Sequence, residues 1–145
     1  MQIEKLTATN LNELTHLVLE LWPECSFDEE HQLFEEIIHH ENEGVFLVKE
    51  QNSFIAFIQV SLRTDYVEGV TTSPVGYAEG LYVRPEHRKK GIGKQLLQYA
   101  QEWAKQKDCK EFASDAALTN QASIDFHKQV GFTEVNRIVC FVKEL

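Results

Sequence analysis

The sequence predicts an α/β fold in which a mixed sheet is flanked by helices. The spacing of apolar residues changes along the chain, from a helical period before Gly44 to the pattern of strands after it. Residues 75–116 then have the pattern strand, helix, strand, and such a crossover should be right-handed and give two neighbouring parallel strands. A length of 145 residues suits one domain, residues 1–145, built around a single core.

The composition is that of an ordinary soluble protein, with 43% hydrophobic and 26% charged residues. No apolar run approaches membrane-spanning length and the first residues lack the order of a signal peptide, so we expect a cytoplasmic protein without a membrane partner. The net charge of −9 argues against a nucleic-acid partner, because backbone phosphates would be repelled, and it suits a cationic substrate. Cys25, Cys109 and Cys140 are too far apart in sequence to indicate a disulfide framework or a thiolate metal site.

Two helices are predicted near the N-terminus by their capping residues. Asn10 with Glu13 forms a capping box for the first helix, which Pro23 ends. Ser26 with Glu29 forms a second capping box. Both helices carry one apolar face, as expected for helices that pack on a sheet.

Short strands precede and follow these helices. Residues 3–7, 45–49 and 54–62 are rich in branched and aromatic side chains or alternate in polarity, which favours strands. Residues 63–74 form a polar connection long enough to be a functional loop. Tyr66 within it is either an exposed tyrosine or a ligand contact.

The next predicted strand, residues 75–83, carries a carboxylate on an apolar face. With a regular pleat, one face would hold Val75, Tyr77, Glu79, Leu81 and Val83. Because an unpaired buried charge is costly, Glu79 should have a cationic partner, stay protonated or face a water-filled cleft. Gly80 beside it permits a bulge that would splay the strand and re-aim the Glu79 side chain.

Residues 82–97 predict the end of that strand, a basic turn and the start of a helix that runs from Gly91 to Lys107. The unpaired N–H groups at such a helix start, together with the helix dipole, favour bound phosphate. The nearby cationic side chains are Arg84, Arg88, Lys89, Lys90 and Lys94. A P-loop is excluded because Gln95 follows Gly93-Lys94, and Leu96 excludes the dinucleotide fingerprint. A solvated basic turn explains the remaining Arg-x-x-Gly-x-Gly about equally well.

The chain then predicts a second parallel strand, a short helix and a closing strand. Asp115 lies at the carboxyl end of the strand 112–116, where open α/β sheets bind ligands, so Asp115 and Glu79 are candidates for one cleft. Asn120 caps the next helix, and alternating apolar positions over 132–142 predict the closing strand.

The motif from Arg88 to Gly93, preceded by residues 80–87, resembles the pyrophosphate-binding motif of the GCN5-related N-acetyltransferase (GNAT) superfamily. Residues 72–76, 79–83 and 112–120 look more specifically like aminoglycoside 6′-N-acetyltransferases of this size. Over the whole length, the resemblance implies a GNAT-type acyl-CoA N-acyltransferase fold and direct acetyl transfer from acetyl-coenzyme A to the 6′-amine of an aminoglycoside. It also implies a homodimer; no metal cofactor is expected.

The same resemblance implies the site residues. The aminoglycoside would contact Trp22, Tyr66, Glu79 and Asp115. Acetyl-coenzyme A would contact Leu81, Tyr82, Val83, Arg88, Lys89, Lys90, Gly91, Ile92, Gly93, Lys94 and Asn120. Trp22 fits a core or lid position as readily as a ligand contact.

Two positions depart from the pattern of the family. His127, beside the cofactor, replaces a tyrosine that many members carry, and it serves as an acid or only packs and hydrogen-bonds. Asn136 stands where similar sequences have an acidic substrate-binding residue, and the lost carboxylate would weaken or reshape recognition of cationic drugs.

The expected chemistry needs a base, because the acceptor amine arrives protonated. Glu79 is the first candidate and Asp115 mainly an ammonium anchor, with the reverse assignment left open. Backbone N–H groups near 81–83 would stabilise the oxyanion. The alternatives are an acetyltransferase for another amine, such as a polyamine, a small metabolite or a protein N-terminus, and a non-catalytic acetyl-coenzyme A-binding module.

Overall fold

The computed structural model describes residues 1–145 as five strands and four α-helices. The strands are β1 Gln2–Lys5, β2 Glu43–Glu50, β3 Ser53–Arg63, β4 Val75–Val83 and β5 Phe112–Ala113. The helices are α1 Leu11–Leu21, α2 Phe27–Ile37, α3 Ile92–Gln106 and α4 Gln121–Gln129, and a short 3₁₀ turn spans Pro85–His87. None of the helices has the length and apolar character needed to cross a membrane.

The strands form one mixed sheet in the order β1-β2-β3-β4-β5. Each neighbouring pair from β1 to β4 is antiparallel, and β4 and β5 are parallel. Helices α1 and α2 pack on one face of the sheet and α3 packs on the other. The mixed sheet flanked by helices, and the parallel pair around α3, are therefore as the sequence predicts.

A bulge in the middle of β4 changes which side chains share a face. Gln59 pairs with Gly80 and Val60 pairs with Ala78, so the register skips Glu79. The prediction of one continuous face from Val75 to Val83 is therefore wrong. The first half of that set, Val75 and Tyr77, lies opposite Arg63 and Ser61, whereas Leu81 and Val83 pack into the core beneath α3.

Two capping predictions are confirmed and one is wrong. The side chains of Ser26 and Asn120 accept hydrogen bonds from backbone N–H groups of the helices that follow them. Asn10 caps no helix with its side chain. Its amide instead accepts from the Thr7 N–H at 2.8 Å and donates to the Lys5 carbonyl at 3.1 Å, because the tight turn between β1 and α1 uses it first.

Both predicted strands in the last third of the chain differ from the structure. β5 is only two residues long instead of spanning 112–116, because the chain turns away from β4 after Ala113. Residues 132–142 form no strand in the single chain and pair with none of the five strands of the sheet. The apolar side chains from Val135 onward are exposed: Val135 60%, Ile138 64%, Val139 75%, Phe141 91% and Val142 99%.

Candidate active site

Glu79, the residue in the bulge of β4, is held on both carboxylate oxygens. Oε2 accepts from the Ser61 hydroxyl at 2.5 Å and from Arg63 Nε at 3.0 Å. Oε1 accepts from Arg63 Nη2 at 2.7 Å. Ser61 and Arg63 lie on the neighbouring strand β3, so the bulge turns Glu79 toward them. Arg63 is therefore the cationic partner that Glu79 needs, because burying an unpaired carboxylate is costly.

Tyr77 connects this ion pair to Asp115. The Arg63 guanidinium carbon lies 3.5 Å from the centre of the Tyr77 ring, and the Tyr77 hydroxyl donates to Asp115 Oδ2. Burial, followed by the hydrogen bond to Asp115, raises the pKa of the Tyr77 hydroxyl, so this group stays a protonated donor. Hydrogen bonding to Glu79 raises the pKa of Arg63, so its guanidinium stays charged. The two predicted catalytic carboxylates thus belong to one cluster: Ser61, Arg63, Tyr77, Glu79 and Asp115.

Trp22, the residue that follows the C-terminal end of α1, lies over the bulge in β4. A methyl group placed on Gly80 would come within 2.7 Å of the Trp22 ring, so glycine is required for this close approach. Trp22 is half-buried against the core under α1 and α2. Trp22 therefore lies beside the bulge that carries Glu79 and is partly packed against the core.

Tyr66 and Asn136 form a second polar group around Glu68. The Tyr66 hydroxyl donates to Glu68 Oε2 at 2.9 Å and the Asn136 amide donates to Oε1 at 2.6 Å. These hydrogen bonds, first that of Asn136 and then that of Tyr66, lower the pKa of the Glu68 carboxyl. A carboxylate therefore stands beside Asn136, although residue 136 itself carries none. No hydrogen bond joins this group to the Glu79 cluster.

The loop before α3 has the features of an anion site. Gly91 is the N-cap residue of α3 in the left-handed conformation, with a φ of 81°, and no side chain caps the helix. Arg88, Lys89, Lys90 and Lys94 are exposed around it, whereas Ile92 is buried as a core anchor. A methyl group placed on Gly93 would make an ordinary van der Waals contact with the Phe126 ring of α4, at 3.4 Å.

The free edge of β4 lies beside this loop. β5 pairs only with Gly76 and Tyr77, so the stretch from Ala78 to Val83 has no strand on the side away from β3. Leu81, Tyr82 and Val83 belong to this stretch. Its backbone N–H and C=O groups on that side pair with no strand, and apart from the Val83 carbonyl, which accepts from Arg88 Nε, they are available to a ligand.

Glu20 ties α1 to the end of β4. Its carboxylate accepts from the Tyr82 hydroxyl at 3.0 Å and from Arg84 Nη2 at 2.9 Å. Arg88 Nε donates to the Val83 carbonyl at 2.7 Å. These contacts fix the helix that carries Trp22 relative to the basic loop.

His127 is fixed by hydrogen bonds at both ring nitrogens. Nδ1 lies 2.6 Å from the Ser123 carbonyl oxygen, and because that oxygen only accepts, Nδ1 carries the proton. In the neutral ring Nε2 then accepts from the Ser114 hydroxyl at 2.9 Å. Of the two roles that the sequence leaves open for His127, this geometry favours hydrogen bonding. Asn120 caps α4 through the Ser123 N–H at 3.1 Å.

Sequence reasoning missed Ser61, Arg63, Tyr77 and Glu68. Arg63 and Ser61 alternate on β3 and face the carboxylates only because the bulge in β4 sets the register. The available signal was a cation three residues before Tyr66, in a chain where Glu79 needed one. No group of three or more His, Cys, Asp or Glu side chains is arranged to hold a metal ion.

A comparison with known protein families identifies the class of this protein. The sequence profile described as "Acetyltransferase (GNAT) family" matches residues 11–132. The chain belongs to this family.

Known proteins with similar sequences and structures point to one group of enzymes within this family. The aminoglycoside N(6′)-acetyltransferase type 1 of Acinetobacter haemolyticus is 38% identical, over 100% of this chain and 99% of its own. The enzyme of the same name from Salmonella typhimurium is 34% identical, over 99% of each chain. The structure of AAC(6′)-Iy in complex with the bisubstrate analogue CoA-S-monomethyl-acetylneamine has a TM-score of 0.95 at 33% identity, covering 99% of this chain and 98% of that one.

Proposed function

We propose that this protein is an acetyl-coenzyme A-dependent N-acetyltransferase that acetylates the 6′-amino group of aminoglycosides. The observation that carries the proposal is the cluster of two carboxylates, Glu79 and Asp115, beside the free edge of β4. The full-length similarity to aminoglycoside 6′-N-acetyltransferases supports the same activity. The net charge of −9 suits a polycationic acceptor.

Acetyl-coenzyme A fits the edge of β4 and the loop that follows it. Its amides would pair with backbone groups of residues 81–83, and its diphosphate would lie on the residues 88–94, where the uncapped start of α3 and exposed cations favour an anion. Asn120 and His127 on the neighbouring helix would line the same cleft. When bound, this cosubstrate supplies a thioester, and the backbone N–H groups of β4 would stabilise the oxyanion formed on attack.

The acceptor amine would be deprotonated in the carboxylate cluster. Asp115 accepts only from Tyr77, so one of its oxygens is free, whereas both oxygens of Glu79 are engaged by Ser61 and Arg63. We therefore assign the proton-accepting role to Asp115, directly or through water, and the orienting role to Glu79. Trp22 over the bulge and Tyr66 would bound the sugar-binding part of the cleft.

Thiol release from acetyl-coenzyme A tests the function with the purified protein. Tobramycin or kanamycin should release thiol rapidly and yield a product acetylated at the 6′-amine, with spermidine and no acceptor as controls. Release only with spermidine or another amine would overturn the substrate assignment and leave an acetyltransferase of other amines. Binding of acetyl-coenzyme A without release would instead indicate a non-catalytic module.

Glu68 is proposed to supply the negative charge that residue 136 lacks. The Glu68→Gln variant should raise KM for tobramycin about two- to fivefold, the size expected of one exposed charge pair, and leave kcat nearly unchanged. Steady-state kinetics measure both constants. Glu102→Gln, which removes an exposed negative charge from α3, is the control and should keep the KM of the unaltered protein. An equal KM for both variants would remove Glu68 from substrate recognition.

We also propose a cytoplasmic homodimer. The apolar segment at residues 135–142 is exposed in the single chain. Its first two residues contact the body of the chain, since Val135 packs against Gly69 and Asn136 donates a hydrogen bond to Glu68. A second copy of the chain is the partner whose sheet would accept such a segment as an added strand.

A further inference from the structure

Arg63 occupies the centre of the carboxylate cluster, where the mechanism above gives it no part in the reaction. It makes two hydrogen bonds to Glu79 and stacks on Tyr77, whose hydroxyl reaches Asp115. Arg63 therefore contacts one carboxylate directly and the other through one ring. No other cation takes part in the hydrogen bonds of this cluster.

A stabilising role alone does not account for this placement. The Arg63 side chain is 41% exposed, and ion pairs at that exposure contribute little to folding. The bidentate contact with Glu79 uses the planar shape of the guanidinium group, and the stacking on Tyr77 uses its weakly hydrated face. These two properties distinguish arginine from lysine. The residue is thus suited to hold its neighbours in fixed positions.

Arg63 also sets the charge that an incoming amine meets. With Glu79 and Asp115 ionised, the guanidinium leaves the cluster with one net negative charge in place of two. Because Arg63 engages both oxygens of Glu79, the remaining negative charge lies mainly at Asp115, whose second oxygen is free. One ammonium group is therefore directed to Asp115.

We propose that Arg63 is a positioning and specificity residue that assigns the two carboxylates their roles. It fixes Glu79 in the bulge and limits the cluster to a single ammonium at Asp115. This inference rests on the proposed function, since the acceptor is taken to be a cationic amine.

Two substitutions separate the charge of Arg63 from its geometry. Arg63→Met removes both the charge and the planar guanidinium group. At pH 8, KM for tobramycin should therefore fall by about three- to tenfold, the size expected when one positive charge near the bound ammonium group is lost. The same variant should lower kcat by about tenfold or more, because Glu79 is no longer held in place. Arg63→Lys keeps the charge but not the planar group, so it should keep the KM of the unaltered protein and still lower kcat.

Lys105→Met is the matched control, since it removes one cation from the exposed end of α3 and should change neither constant. If Arg63 only stabilises the fold, both Arg63 variants will lower the melting temperature and leave KM and kcat unchanged, which overturns the proposal. Equal effects of Arg63→Met and Arg63→Lys on KM would also overturn the proposal.

Calorimetric binding of tobramycin distinguishes failure of this inference from failure of the proposed function. If the unaltered protein turns over no amine, the function fails. The inference then stands only if tobramycin still binds Arg63→Met about three- to tenfold more tightly than the unaltered protein. Equal binding, including no binding by either protein, overturns it.

Discussion

Replacing Asp115 by asparagine is expected to lower kcat for aminoglycoside acetylation by about 10²–10⁴-fold, the range typical of a lost general base. Asparagine keeps the shape of the side chain and accepts the Tyr77 hydrogen bond through its amide oxygen, but it takes no proton from the amine. Stopped-time thiol release across a range of tobramycin concentrations gives kcat and KM separately. The affinity for acetyl-coenzyme A, measured by calorimetry, should stay unchanged, because Asp115 lies outside the basic loop.

Two further variants locate the base. Tyr77→Phe removes the donor to Asp115 but no carboxylate, so its loss of kcat should be smaller than that of Asp115→Asn. Glu79→Gln removes the partner of Arg63 and should raise KM, because the freed guanidinium then repels the ammonium group. If Glu79→Gln abolishes turnover while Asp115→Asn only raises KM, the two roles are the reverse of those proposed.

The fold was predictable from the sequence because its signals are local. The change in hydrophobic period, the cap at Ser26 and the glycines before α3 each act within a few residues. The strand β4 was predicted with its observed bounds, 75–83. The resemblance to acetyltransferases rested on longer runs of residues, and the family match extends over 11–132.

The arrangement of the site depended on one non-local feature. Gly80 suggested a bulge, but only the pairing of β4 with β3 shows that Glu79 is the skipped residue. That single skip reverses which face Leu81 occupies and turns Glu79 toward Arg63. A one-residue change of register is not visible in the alternation of a single strand, so Arg63 could not be assigned to the cluster from sequence.

The closing strand was mispredicted for a different reason. Its last five residues, Ile-Val-Cys-Phe-Val at 138–142, are apolar at every position, as in strands buried on both faces. A strand also needs a partner edge, and the single chain leaves these residues without one. The pattern is thus informative about β-structure that the isolated chain does not complete.

Introducing charge into this segment is therefore expected to dissociate the protein. Val139→Asp combined with Phe141→Asp should weaken self-association by more than about 100-fold, because full burial of each apolar side chain is worth about 1.5–3 kcal/mol and a buried carboxylate costs more. Val139 is 75% and Phe141 is 91% exposed in the single chain, so neither substitution disturbs the monomer core. Sedimentation should change from the mass of two 16.7 kDa chains to that of one.

Lys143→Glu is the control for this variant, because it reverses a charge on the same exposed segment without adding one to the apolar run. It should remain a dimer. An unaltered protein that sediments as a monomer at micromolar concentration would contradict the dimer proposal outright.

Loss of self-association should also lower acetylation of tobramycin, since Asn136 and its partner Glu68 lie where the segment leaves the body of the chain. The position of the segment thus links assembly to recognition of the acceptor, which a monomeric double variant with full activity would disprove.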